Sequence, residues 1–160
     1  MSFFEDNIFI CDPELKFQRP ELIEFLAYWN EKRGARQFPA RLDIVPREIE
    51  KLLPWLHMHD VVDGGKDFHI RLAGTAISEF FDLGNPCGRS ISILPSPVFK
   101  RLQQHLTAVL QARAPVRFYT WKSVMPGQDH QGSEGCYAPL SGNGADIDII
   151  ICIMMLENRR

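Results

Sequence analysis

The last long segment of the chain constrains the fold most. From Asp146 to Leu156 the residues run Asp-Ile-Asp-Ile-Ile-Ile-Cys-Ile-Met-Met-Leu, apolar at every position after Asp148. A strand that is apolar on both faces belongs inside a sheet covered on both sides. Because it comes late in the chain, it has to be inserted between earlier strands. The run is far too short to cross a bilayer as a helix.

The preceding residues supply its neighbours. Pro20 opens a helix at a tolerated first-turn position, and Gly34 ends it. Leu22, Ile23, Phe25, Leu26 and Trp29 form its apolar stripe, with Glu21, Glu24, Glu31 and Lys32 on the wet side. After a linker at 36–41, Pro46 starts a short helix over 47–53 that Pro54 stops. Residues 55–62 and 67–73 read as a hairpin around Asp63-Gly64-Gly65-Lys66, pairing His59 with Ile70 and Asp60 with His69. Phe68, Ile70 and Leu72 would share its apolar face. Short helical pieces over 75–81 and 85–91 lead to a long helix, Ser96 to Arg113, that Pro115 ends. Strands over 116–124 and 136–140 precede the final one, separated by a glycine-rich loop at 126–135 and a turn at 141–144. Strands at both ends of a helical middle predict an α+β fold with one antiparallel sheet.

The length of 160 residues suits one domain, expected over 20–157 after an N-terminal arm or short element at 1–19. With 45% apolar and 24% charged residues the chain can offset its folding entropy. A net charge of −2 with no basic cluster argues against nucleic-acid binding. No secretory signal is visible, no membrane span is expected, and the four scattered cysteines read as free thiols in a reducing cytoplasm.

Several short stretches carry a resemblance. These are Tyr28-Trp29, Pro39-x-Arg41-x-Asp43-Ile44-x-Pro46-x-x-Ile49, Leu52-Leu53-Pro54, Asp60-Val61-Val62-Asp63-Gly64, Phe68-x-x-Arg71-Leu72-x-Gly74-Thr75, Gly88-Arg89 and Pro139-Leu140-Ser141-x-x-Gly144. In this order and spacing, over roughly residues 22–155, the chain resembles a bacterial PAS-like family of mostly uncharacterised proteins. The resemblance implies a five-stranded antiparallel sheet in the order 2-1-5-4-3. The helices would lie on one face and the N-terminal helix on the other. It implies a sensory or protein-interaction role, with no agreed ligand or catalytic residues to carry over.

His57 and His59 stand where that family would place apolar residues. At a spacing of two they share a strand face, where they serve as hydrogen-bonded packing residues, a pH-responsive pair, or two ligands of a metal that needs a third from elsewhere. No metal site is assigned on the sequence. His105 flanks the stripe of the long helix, and some PAS sensors hold haem through a histidine there, so haem is the sharpest cofactor alternative. Asp129-His130 lies in the glycine-rich loop and reads as solvated. No nucleophile elbow, zinc-protease motif, phosphate loop or usable acid–base pair is present, so no catalytic residue is assigned and an enzyme is not expected. The cofactor is left unknown.

The expectation is a PAS-like sensor binding a small molecule between sheet and middle helices, lined in part by Phe68, Ile70, Thr75, Phe80, His105 and Tyr119. Its signal would leave through protein contact, with a regulatory partner or as a homodimer. The alternative is an interaction module with a filled core.

Overall fold

Pro20 and Gly34 bracket the first helix as the sequence leads one to expect. In the computed structural model, which describes residues 9–128 and 130–157, helix α1 spans Pro20–Arg33, and Gly34 closes it with φ 58°. Leu22, Phe25 and Trp29 are its buried residues, while Ile23 is 52% exposed. The stripe is therefore narrower than expected and follows the three- and four-residue spacing of a single helix face.

The remaining strands and helices are β1 (Phe9–Asp12), β2 (Leu56–Val62), β3 (Asp67–Ala73), α2 (Thr75–Phe80), α3 (Ser96–Ala112), β4 (Val116–Thr120), β5 (Ser133–Leu140) and β6 (Ile149–Leu156). Two expectations of helix change. Residues 46–55 form 3-10 turns that run through Pro54 into Trp55. Residues 85–90 are not helical. Gly88 N–H donates to the Ile70 carbonyl, Ile70 N–H donates to the Arg89 carbonyl, and Ser90 bridges to His69, so the segment lies along the edge of β3.

The strands form one antiparallel sheet in the order β1-β4-β5-β6-β2-β3. Six strands, not five, corrects the expected sheet. The added strand comes from the N-terminal arm, where Phe9 and Cys11 bury on one face and pair with Thr120 and Phe118 of β4. The doubly apolar β6 lies inside the sheet between β5 and β2, with Ile149 to Met155 all buried.

The parity of β5 separates two layers. Ser133, Gly135 and Tyr137 face α3. Glu134, on the reverse face, is 2% exposed and accepts the N–H groups of Gln18 (3.1 Å) and Arg19 (2.8 Å) just before α1. Arg117 of β4 donates to the same carboxylate at 2.7 Å and reaches Asp12 of β1 at 3.4 Å. The indole N–H of Trp29 donates to the Pro139 carbonyl at 3.0 Å. Helix α1 thus covers the reverse face, fixed by a buried carboxylate below its first turn and an indole near its end.

The hairpin pairs His59 with Ile70 and Asp60 with His69, as expected, but a bulge lies between Met58 and His59. Arg71 is the extra residue. It turns Leu72 opposite Met58 and sets Ala73 opposite His57. Leu72, 39% exposed, therefore leaves the apolar face assigned to it with Phe68 and Ile70.

Three substitutions test this frame. A Cβ on Gly74 would run into the backbone oxygens of Leu53 and Pro54, whereas one on Gly84 meets open space. Gly74→Ala is expected to lower unfolding free energy by at least about 2 kcal/mol and Gly84→Ala to change it by about 0.5 kcal/mol or less, both read from urea denaturation. Glu134→Gln leaves the buried Arg117 with only the more distant Asp12 carboxylate and should cost about 3 kcal/mol in the same assay.

Candidate functional site

Tyr137, Cys152 and His57 lie side by side on three neighbouring strands, in a row that runs from Val116 to Ala73. All three point toward α3. Cys152 is small, so the larger rings on either side meet across it, His57 edge-on to Tyr137 at 5.4 Å between centroids. One step along β2, His59 brings its Nε2 to 2.8 Å from Nδ1 of His57, one ring donating and the other accepting. Both histidines are buried.

Helix α3 supplies the opposite wall. His105 is 5% exposed, stacks on Phe118 at 3.7 Å, and meets Tyr137 and Phe9 edge-on at 5.4 and 5.3 Å. Gly135 stands opposite Phe118 on β5, where a side chain would press against the Tyr137 ring. Nδ1 of His59 and Nε2 of His105 are buried with no hydrogen-bond partner among the described residues.

Between these walls lies a cavity of about 90 Å³. Ile77 and Phe80 of α2, Val98 and Leu102 of α3, and Met154 of β6 give it an apolar lining, and Arg101 is the charged residue on its wall. Phe80, Phe81, Leu83 and Leu94 also line a neighbouring surface groove of about 700 Å³. These four side chains form the partition between cavity and groove.

Burial sets the protonation of the site. Loss of hydration pushes His57 down to about 3, and it holds His59 and His105 well below the ordinary imidazole range. For His59 the neighbouring His57 adds to the effect, and for His105 Arg101 does. Burial likewise raises the Tyr137 hydroxyl and the Cys152 thiol well above their usual values. At neutral pH the site is an uncharged set of rings and a thiol beside one guanidinium.

Of the six residues expected to line a pocket, Ile70, Phe80 and His105 do so. The structure does not bring the other three there. Phe68 is fully buried but lies beyond the lining, and Thr75 is exposed at the start of α2. Tyr119 faces the reverse side, where its hydroxyl donates to Glu157 at 2.6 Å and its ring packs near Arg117 and Trp121. Phe118 holds the inward position instead. The signal was available, since a charged Arg117 two residues from Tyr119 marks that face as the one away from the cavity. His57 and His59 line the cavity, and Cys152 beneath them brings three donor atoms within 4.8 Å of one another. The sequence offered no third ligand because Cys152 is remote in the chain and adjacent only through the β2–β6 register. His130 is exposed, and Asp129 lies outside the described residues.

A family model described as a PAS domain matches residues 17–149. No curated protein matches the chain.

An imidazole kept neutral in the fold, but free to protonate near pH 6.5 once unfolded, favours the unfolded chain as pH falls. The stability contributed by the three buried histidines is thus complete above that value and lost progressively below it, toward the folded value of about 3 for His57. Each histidine should cost about 2 kcal/mol between pH 7 and pH 5. Urea midpoints across that range should fall steeply for the native chain and less steeply for His105→Leu.

Proposed function

Since the chain belongs to the PAS domain family, we propose that it is a cytoplasmic sensory module, not an enzyme, which takes a small apolar or aromatic molecule into the cavity between the sheet and helices α2 and α3. The cavity itself is the observation that carries this reading: mainly apolar walls, a few polar atoms and, among the described lining residues, one cationic side chain suit a small ligand with an anionic end directed at Arg101.

Volume decides which ligands are reasonable. A dry cavity of about 150 Å³ accommodates benzene, so 90 Å³ holds only a smaller group. Anything larger displaces the partition of Phe80, Phe81, Leu83 and Leu94 toward the neighbouring groove. That displacement is a difference in shape between the free and bound forms, which a partner protein can read. A haem on His105 fits poorly. Its ring already stacks on Phe118, and a macrocycle needs a pocket of at least about 300 Å³.

One observation favours the second reading, an interaction module that binds no small molecule. Leu42 is 91% exposed, and Ile23 and Val45 are each at least 40% exposed. Apolar side chains left in water in this way mark surfaces that partners cover when they gather into one patch. Among the described residues no helix is long and apolar enough to cross a membrane.

Native mass spectrometry of the purified protein, compared with its denatured mass, tests the two readings together. Ligand binding predicts an excess mass released by denaturation and absent from Leu102→Trp, which fills the cavity while α3 stays folded by circular dichroism. An unliganded mass, together with no thermal shift from small aromatic carboxylates, would overturn it in favour of the interaction module.

A further inference from the structure

The polar atoms on the cavity floor do not need an organic ligand to have a use. His57, His59 and Cys152 each offer one ligand atom, all within 4.8 Å of one another, and all three residues are buried. They come from adjacent strands at the middle of the sheet, His57 directly opposite Cys152 and His59 two residues further along β2. The backbone holding them is paired on both sides, β2 with β6 and β3, and β6 with β5 and β2. We propose that His57, His59 and Cys152 form a binding site for a soft monovalent metal ion, Cu⁺.

Donor geometry is compatible with this. Metal–nitrogen bonds of about 2.0–2.1 Å and a metal–sulfur bond of about 2.3 Å place tetrahedral donors roughly 3.3–3.6 Å apart. The His57–His59 contact of 2.8 Å has to open by about half an ångström, and the separations to Cys152, all within 4.8 Å, have to close by at most about an ångström. The adjoining cavity gives the imidazoles room to turn. Binding breaks the hydrogen bond between the rings, shifts its proton to the other nitrogen of the imidazole that carried it, and sends the thiol proton of Cys152 to solvent.

Charge selects the ion. Two neutral imidazoles and one thiolate neutralise Cu⁺ completely, whereas Zn²⁺ would leave one net positive charge buried there, and among the described residues the cavity lining contains no carboxylate to offset it. Thiolate and imidazole donors suit Cu⁺ on grounds of softness, and the thioether of Met154 opens into the same cavity. This site goes beyond the small-molecule reading and does not depend on it. A protein that carries no organic ligand can still bind the ion.

The experiment is an anaerobic Cu⁺ titration against a competing chelator, in a Cys87→Ser background that removes the exposed thiol. One equivalent is expected, with affinity at least about tenfold weaker in Cys152→Ser and in His59→Gln. X-ray absorption of the loaded Cys87→Ser protein should show one sulfur and two nitrogen neighbours. It needs no substitution in the core, so it decides the matter even where a core variant misfolds. Absence of one tight equivalent, a copper shell lacking nitrogen or containing several thiolates, or a preference for Zn²⁺ in direct competition would each overturn the assignment.

Discussion

The carboxylate of Glu134 ties the approach to α1, strand β4 and strand β1 to one buried point on β5. It lies on the buried reverse face of β5, accepts two backbone N–H groups at the approach to α1, and pairs with Arg117, which in turn reaches Asp12 of β1. An ionised group in such a place survives only when nearly every lone pair is occupied. Its hydrogen bonds therefore fix where α1 begins, and they hold β1 against β4. The cavity depends on both results. Phe9 of β1 packs against His105, and α1 covers the sheet so that the opposite face is free to build the site.

The site arises from cross-strand adjacency. Residues from β2, β5 and β6 converge because each strand presents alternate side chains toward α3. The small Cys152 lets the flanking rings of His57 and Tyr137 approach each other. Glycine at 135 does the same for Phe118 and Tyr137. What lines the cavity is thus set by small residues as much as by large ones.

Most of the frame was legible in the sequence, since it rests on local rules. Pro20 and Gly34 mark a helix through backbone chemistry, the run from Ile149 to Met155 announces a buried strand, and the glycines at 64 and 65 place the hairpin in its observed initial register. The site was less legible. Ile70, Phe80 and His105 follow from element and face, whereas the aromatic character of Tyr119 does not say which side of β4 it takes, and the charge of Arg117 on the same face does. Strand β1 was missed because four residues carry too little periodicity to separate a strand from an arm. Cys152 was invisible as a partner of the histidines, because nothing local links it to residues nearly a hundred positions earlier.

The bulge at Arg71 has a consequence of a different kind. Between their paired ends β2 contributes six residues and β3 seven, and that difference of one brings Ala73 instead of Leu72 to face His57. Space at this end of the cavity is therefore encoded by register, through the residue left out of the pairing, as much as by side-chain identity. Among related sequences, a comparison position by position would find Leu72 and Ala73 unremarkable. A relative that keeps all seven residues but pairs them without the bulge would set its Leu72 opposite His57 and close the chamber.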